Sequence, residues 1–324
     1  MPIDWLTTSR RLLHHALRLN RVSCVSCPLA GGVYTCYYSA AARANHLLRV
    51  VPPNDIQAYA EQHDEAIWDT LCTLLGEDRG GETAARARPL ATLPHRLGGL
   101  GLRDATRTRH AAYWAAVADA LPMLSARLPR LAHRALEQLQ RPWGARAAGL
   151  RAAQEAAELL RQEGYEDIPT WQEVADGARP PEPLDTDPGE WAHGWQYYAS
   201  SARETYFKEH QVWPSRRPNE RALLRSQAGP KAGRALTALP TEPETTIGPL
   251  RMSTILRRRL RLPLPQSPGR CPNKHCRLPY DLFGDHPAAC RLSGFLKRRS
   301  GAPAREGRGA GEGDRLPGAG GQQV

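Results

Sequence analysis

LPHRLGGLGLRDATRTRHAAYWAAVADALP, Leu93 to Pro122, carries the reading of the fold. Gly98, Gly99 and Gly101 lie close together, but no β-branched strand precedes them and the G-x-G-x-x-G pattern is incomplete, which argues against a phosphate-binding loop. Glycines so spaced permit a tight turn with positive φ. A helix is expected from about Arg103, with Ala111, Trp114, Ala115, Ala118 and Leu121 recurring at helical spacing as its buried stripe. Pro122 and Pro129 punctuate it.

The flanking sequence is helical too. On the N-terminal side, SAAARANHLLRVV (Ser39 to Val51) stops at Pro52-Pro53, as a helix must before tandem prolines. Asn54 is then expected to cap a longer helix that places Ile56, Tyr59, Ala60, His63, Ile67, Leu71 and Leu74 on one face and ends at Gly76. His63 reads as a core histidine, and Asp64, Glu65 and Asp69 read as the solvated side. Glu77 to Arg88 reads as a charged loop. Further helices are expected from Pro129 to Gln140 and from Ala145 to Gln162, the latter closed by Gly164. Ala178 to Pro188 is proline-rich and reads as a linker. Asp187-Pro188-Gly189-Glu190 has the pattern of a helix start. It opens an aromatic stripe, Trp191, Trp195, Tyr198, Ala202 and Tyr206, suited to a core or to a protein partner. A short helix near Asn219 to Ser226, a Gly/Pro/Thr-rich stretch and a basic helix from Arg251 to Leu262 follow.

At the ends, Trp5 to Asn20 reads as an Arg-rich amphipathic helix, and Cys24 and Cys27 form a Cys-x-x-Cys pair with no second pair at suitable spacing. Beyond Lys297 the composition is almost wholly Gly, Arg, Ala, Pro and Glu, too poor in apolar residues to bury a core, so a disordered tail is expected. Almost nothing reads as a strand. The expectation is a mainly α chain of irregular helical bundles, with Pro/Gly-rich linkers, a small zinc-knuckle-like module and that tail. Its expected segments are 1–38, poorly defined; 39–177, the helical body; 178–188, the linker; 189–250, the aromatic helix and its connection; 251–296, the Arg-rich helix with the cysteine module; and 297–324.

Composition bounds the function. The chain has 324 residues with 44 Lys+Arg against 33 Asp+Glu, a formal charge of +11. Only 41% is hydrophobic, with 28 Gly and 28 Pro, which fits a modular chain better than one large enzyme core. No run of about 18 apolar residues occurs, so a membrane-spanning protein is excluded. The N-terminus lacks the apolar block of a secretory signal, and a nuclear or cytoplasmic rather than secreted protein is expected. In such a reducing compartment the seven cysteines are free thiols or metal ligands.

Two patterns carry chemistry. CPNKHCRLPYDLFGDHPAAC places Cys271, Cys276, His286 and Cys290 at Cys-x4-Cys-x9-His-x3-Cys spacing, with His275 an alternative second ligand. A Cys3His set suits one structural zinc in a loop too short to bury its own core, and four protein donors leave no open position for a catalytic water. Asp285 is a candidate to orient ligands. The second pattern is charge: from Arg216 to Arg261 eleven cations face three acids, and Arg251, Arg257, Arg258, Arg259 and Arg261 are the candidate contacts to RNA or DNA phosphates. The alternative partner is a protein docked on the Trp191, Trp195 and Tyr198 face. Clustered carboxylates for two-metal polymerisation, a P-loop, HExxH and a Ser-His-Asp elbow are all absent, so no enzyme is expected.

Taken in order, AARANHLLRVVPP (Ala41 to Pro53), HDEAIWDTLCTLLG (His63 to Gly76), the Leu93 to Pro122 stretch, ALTALPTEPET (Ala235 to Thr245), LRRRLRLPLP (Leu256 to Pro265) and CRLPYDLFGDHPAAC (Cys276 to Cys290) resemble the region downstream of the polymerase core in reverse transcriptases of non-long-terminal-repeat retroelements. The resemblance spans most of Ala41 to Arg299. It implies a helical, thumb-like post-polymerase region ending in a zinc-knuckle-like element that helps hold nucleic acid. It also implies what is missing: the fingers, palm and catalytic aspartates of the family have no counterpart, which leaves a non-catalytic, retroelement-derived fragment or an accessory piece of a reverse transcriptase. After Leu296 to Arg299 the low-complexity tail departs from the family's helical continuation and looks like a frame change or premature end.

Overall fold

The computed structural model describes residues 32, 36, 40–142, 144–181, 193–238, 246–265, 269–271, 273–290 and 292. The expected helix at Trp5 to Asn20, the Cys24/Cys27 pair, the helix start at Asp187-Pro188, Trp191 and the tail beyond Lys297 lie outside the described residues. Among the described residues the chain is mainly α, with twelve helices and a single isolated β-bridge. It divides into two compact units, 1–262 and 263–324. The division cuts the expected 251–296 segment, because the Arg-rich helix buries Met252, Leu256, Leu260 and Leu262 in the core of the first unit.

In the first unit, α1 (Ala41–Val50) and α2 (Gln57–Leu75) match the expected pair, and α2 ends at Gly76 with φ +66. Asn54 is not the cap of α2; Ile56 takes that position and no side chain caps it. The segment read as a charged loop contains a helix, α3 (Glu82–Thr92), whose Ala84, Ala87, Leu90 and Ala91 are buried at helical spacing. The glycine turn follows. Gly98 and Gly101 have φ of +94 and +80, and at Gly99 a β-carbon would stand 2.2 Å from the Leu93 carbonyl oxygen. The turn folds back on α3 through Leu100 N to Leu90 O (2.9 Å), Gly101 N to Leu93 O (2.7 Å) and Leu102 N to Ala91 O (3.0 Å).

Next comes α4 (Ala105–Arg127), the centre of the unit. It runs through Pro122, since a proline removes one backbone donor without always ending a long helix held on several sides. It packs against α1, α2, α5 (Pro129–Leu139), α6 (Ala148–Gln162), α7 (Trp171–Ala175) and α8 (Trp195–Phe207). The expected stripe is buried, with Trp114 at 1% exposure. Around Trp114 stand the rings of Tyr165, Trp171 and Trp195, at centroid distances of 5.6, 6.5 and 5.8 Å. Tyr165 and Trp195 meet Trp114 edge-on, a geometry that stabilises by about 0.5–1.5 kcal/mol per pair beyond the area buried, and Trp171 is tilted at 47°. Against α6, α4 presents Ala111, Ala115 and Ala118 to Ala152, Ala153, Ala156 and Ala157. α7, unforeseen in the sequence, is capped by a reciprocal Thr170/Glu173 box.

The N-terminus of α4 is buried, and its orphan amides find carboxylates. Asp104 accepts from Arg107 N (2.6 Å), and Asp64 of α2 accepts from Ala105 N and Thr106 N, both at 2.8 Å. Asp64 was expected on the solvated side of α2; it is buried because it caps a neighbouring helix. Burial and the Asp104 charge push Asp64 up to about 7, against the pull of the two amides. Arg107 lies between Asp104 (3.4 Å) and Glu204 (3.0 Å), and Arg203 pairs with Glu163.

The unit closes with α9 (Pro218–Ser226), α10 (Arg234–Thr237) and α11 (Pro249–Leu260). No helix among the described residues is long and apolar enough to cross a membrane.

Three histidines of this unit sit in burial that disfavours their charged form. Burial lowers His63 to about 4; burial together with the Arg259 charge lowers His95 to about 4; burial together with Arg109 and Arg203 lowers His110 to about 3. In the unfolded chain each titrates near 6.5. The unfolded state therefore binds more protons below that pH, so these histidines leave stability whole above about 6.5 and erode it as pH falls towards 4. Asp64 acts in the opposite sense over the same window, but one group opposes three. The urea midpoint should fall between pH 6.5 and 4, less steeply in His110→Gln and more steeply in Asp64→Asn.

Candidate metal centre

The second unit brings its ligands together by two local devices. Cys271 N donates to Leu278 O and Tyr280 N to Gly269 O, both at 2.9 Å, pairing two short extended segments around a turn. In that turn the amides of Cys276 and Arg277 donate to Asn273 O, and Arg277 takes φ +49. The turn returns Cys276 towards Cys271. The other device is α12 (Asp285–Ala289): Cys290 N donates to His286 O at 2.8 Å, so His286 and Cys290 lie one helical turn apart on the same side.

The result is a four-donor cluster. Cys271 Sγ and Cys290 Sγ are 3.7 Å apart, Cys276 Sγ and His286 Nε2 are 3.4 Å apart, and the ligand atoms of all four residues lie within 4.8 Å of one another. They are close enough to hold a metal ion. Cys271 and Cys290 are buried and the other two half-buried. His275, the alternative ligand, is exposed and stands outside the cluster; its amide donates to Asn273 Oδ1 at 2.9 Å.

One residue that organises the site was not foreseen. Asp281 accepts from the amides of Phe283 and Asp285 (2.9 Å each) and of His286 (2.6 Å). Against a cost from burial, these three amides hold its carboxyl below the usual carboxylate range. The backbone amide of Asp285, the residue read as a candidate to orient ligands, donates to Asp281. The recoverable signal was an Asp just ahead of Gly284, which takes φ +70 at the start of α12.

The basic helix α11 lies in the first unit, and its arginines divide. Arg259 is buried; its guanidinium donates to the carbonyls of Gly99 (2.6 Å), Gln227 (3.2 Å), His95 (3.3 Å) and Ala232 (3.3 Å). Arg257 pairs with Glu77 at 2.6 Å and donates to Leu75 O. Arg258 and Arg261 are half-buried, Arg261 with φ +60 closing the helix, and Arg251 is exposed. Arg257 and Arg259 thus correct the expectation that all five arginines face phosphates: the core needs them to satisfy backbone carbonyls and Glu77. The aromatic face is corrected as well. Trp195 is 6% exposed against Trp114, and Tyr198 is half-buried with its hydroxyl donating to Pro181 O, so among the described residues of the stripe Trp195 belongs to the core rather than to a docking surface.

No protein-family model, curated protein or solved structure matches the chain.

Cobalt(II), a visible probe of thiolate coordination, should bind at about one equivalent per chain, and Cys290→Ala should abolish that binding. Asp281→Ala should retain all four ligands yet bind cobalt about 10–100-fold more weakly, because loosening the groups behind a ligand lowers affinity by that order.

Proposed function

We propose that this chain is a non-catalytic, retroelement-derived fragment that binds RNA or DNA and carries one structural zinc on Cys271, Cys276, His286 and Cys290. The spacing of the donor atoms carries the zinc reading. With metal–sulfur bonds of about 2.3 Å and metal–nitrogen bonds of about 2.0–2.1 Å, tetrahedral zinc separates two sulfurs by about 3.8 Å and a sulfur from a nitrogen by about 3.5 Å. Two of the six separations here are 3.7 Å (Cys271 to Cys290) and 3.4 Å (Cys276 to His286), and all six lie within 4.8 Å.

A metal is also what this segment needs physically. Leu278, Leu282 and Leu292 are 56%, 67% and 54% exposed, so apolar burial contributes little to holding the loops in place. Zinc bound by four side chains supplies that cohesion. With all four positions taken by protein donors, the ion's role in this reading is to fix a surface.

That surface is basic. Arg270, Lys274 and Arg277 are exposed next to the ligands in sequence; separately, in the first unit, Arg251 is exposed near the start of α11. Such cations contact phosphates and give affinity without reading sequence.

Elemental mass spectrometry should find about one zinc per chain as purified, and none in Cys271→Ser/Cys290→Ser. Binding to a single-stranded oligonucleotide should weaken along a straight line of log affinity against log salt. Arg270→Gln/Lys274→Gln/Arg277→Gln should shorten that slope by about 2, at about 0.7 for each phosphate no longer neutralised. A flat plot for the unaltered chain would overturn phosphate contact, and no binding even at low salt would falsify nucleic-acid binding.

A further inference from the structure

The second half of the first unit holds a basic surface built differently from α11. Arg217 precedes α9, and Arg217, Arg221 and Arg225 follow one another at intervals of four residues, on one side of the helix at a rise of about 6 Å per step. Arg221 and Arg225 lie over the indole of Trp213, their guanidinium carbons 5.4 and 4.6 Å from the ring centroid, and Lys208 Nζ lies 5.7 Å from it. Arg221 is further held by donating to the carbonyls of Trp213 (3.0 Å) and Pro214 (3.3 Å).

The nearby carboxylates form no ion pair with the row: Glu220 pairs with Arg86 at 3.3 Å and accepts from the Arg217 amide at 3.0 Å, and Glu209 pairs with Lys208 at 3.0 Å. Among the described residues none of Arg217, Arg221 and Arg225 has an ion-pair partner, and Arg217 and Arg225 are exposed. Like charges four residues apart on a helix repel one another. For Arg221 and Arg225 the repulsion is met by an aromatic face rather than by an ion-paired carboxylate, and the exposed Arg217 and Arg225 keep guanidinium N–H donors for an outside anion.

We infer that the Arg217/Arg221/Arg225 row, braced on Trp213, is a phosphate-binding strip that lies along the backbone of a single-stranded nucleic acid. This rests on the nucleic-acid reading above and adds a second contact surface to it. The row is linear, so it fits a ligand that repeats its negative charges along a line. Arginine's planar fork matches phosphate oxygens two at a time. The indole offers no platform for a base, since cations already lie over it, so the strip holds the strand without reading its sequence.

The test uses the full chain, a fluorescent 20-nucleotide RNA and anisotropy over a salt series. Arg217→Gln/Arg225→Gln should shorten the salt slope by about 1.4, at about 0.7 per phosphate, and weaken low-salt binding by at least tenfold. Arg217→Lys/Arg225→Lys, which keeps the charge, should retain the slope, and far-UV circular dichroism should superimpose for all three proteins. Poly-glutamate should compete poorly. An unchanged slope in the glutamine variant while the parent chain binds RNA would overturn the strip alone; no RNA binding by the parent chain would overturn the nucleic-acid reading and the strip together. Equal competition by poly-glutamate would overturn the strip and assign the row to an acidic protein instead.

Discussion

A helix that starts inside a protein has to find partners for amides that water would otherwise satisfy, and in this chain that requirement falls on α4. Asp104 can reach one of them from its own cap position. Two more are met by Asp64, which comes from the middle of α2. This places α2 against the start of α4, which the chain reaches only after α3 and the glycine turn. Two carboxylates are thereby gathered at one helix end, and Arg107 offsets their repulsion while reaching Glu204 on α8. Removing one partner from such a buried ionic group typically costs about 3–5 kcal/mol, because the other charges stay buried. The arrangement of α2, α4 and α8 thus follows from one set of polar obligations, and further along α4 the aromatic cluster around Trp114 packs it against α6, α7 and α8.

Much of the helical body was legible in periodicity alone. The α4 stripe, the Pro52-Pro53 stop and the Gly76 and Gly164 endings are local patterns, and they appear where local physics puts them. Asp64 was not legible, because a carboxylate that caps a different helix has the same spacing as one facing water. α3 was hidden by Gly80-Gly81 and three arginines, although Ala84, Ala87, Leu90 and Ala91 repeat correctly. The arginines show the limit most sharply. A count of charges says nothing about geometry, and Arg259 turns out to bind four carbonyls drawn from the glycine turn and from the segment after α9. It is buried because that turn, pressed close by its glycines, leaves backbone oxygens facing inward.

The cysteine cluster was legible for the opposite reason. Ligand spacing is a local code, and a turn plus one helical turn suffice to bring four donors together. The choice between Cys276 and His275 as second ligand was not in the code; it depends on the Asn273 turn, which returns Cys276 towards Cys271 and leaves His275 exposed outside the cluster. Asp281 lies beyond the code as well, since three amides converge on it only after the chain has bent at Gly284.

The seam between α4 and α6 is lined largely by alanine, seven residues in all. Alanine has no rotamers to lose on burial, so the two helices come together at almost no side-chain entropic cost. The same property removes any means of adjustment. A core of leucines can answer an added methylene by turning neighbouring side chains, whereas a methyl-lined seam can respond only by moving a whole helix. Drift in this part of the sequence is therefore constrained from one side: there is almost nothing to truncate, and an enlargement has to be met by moving a helix.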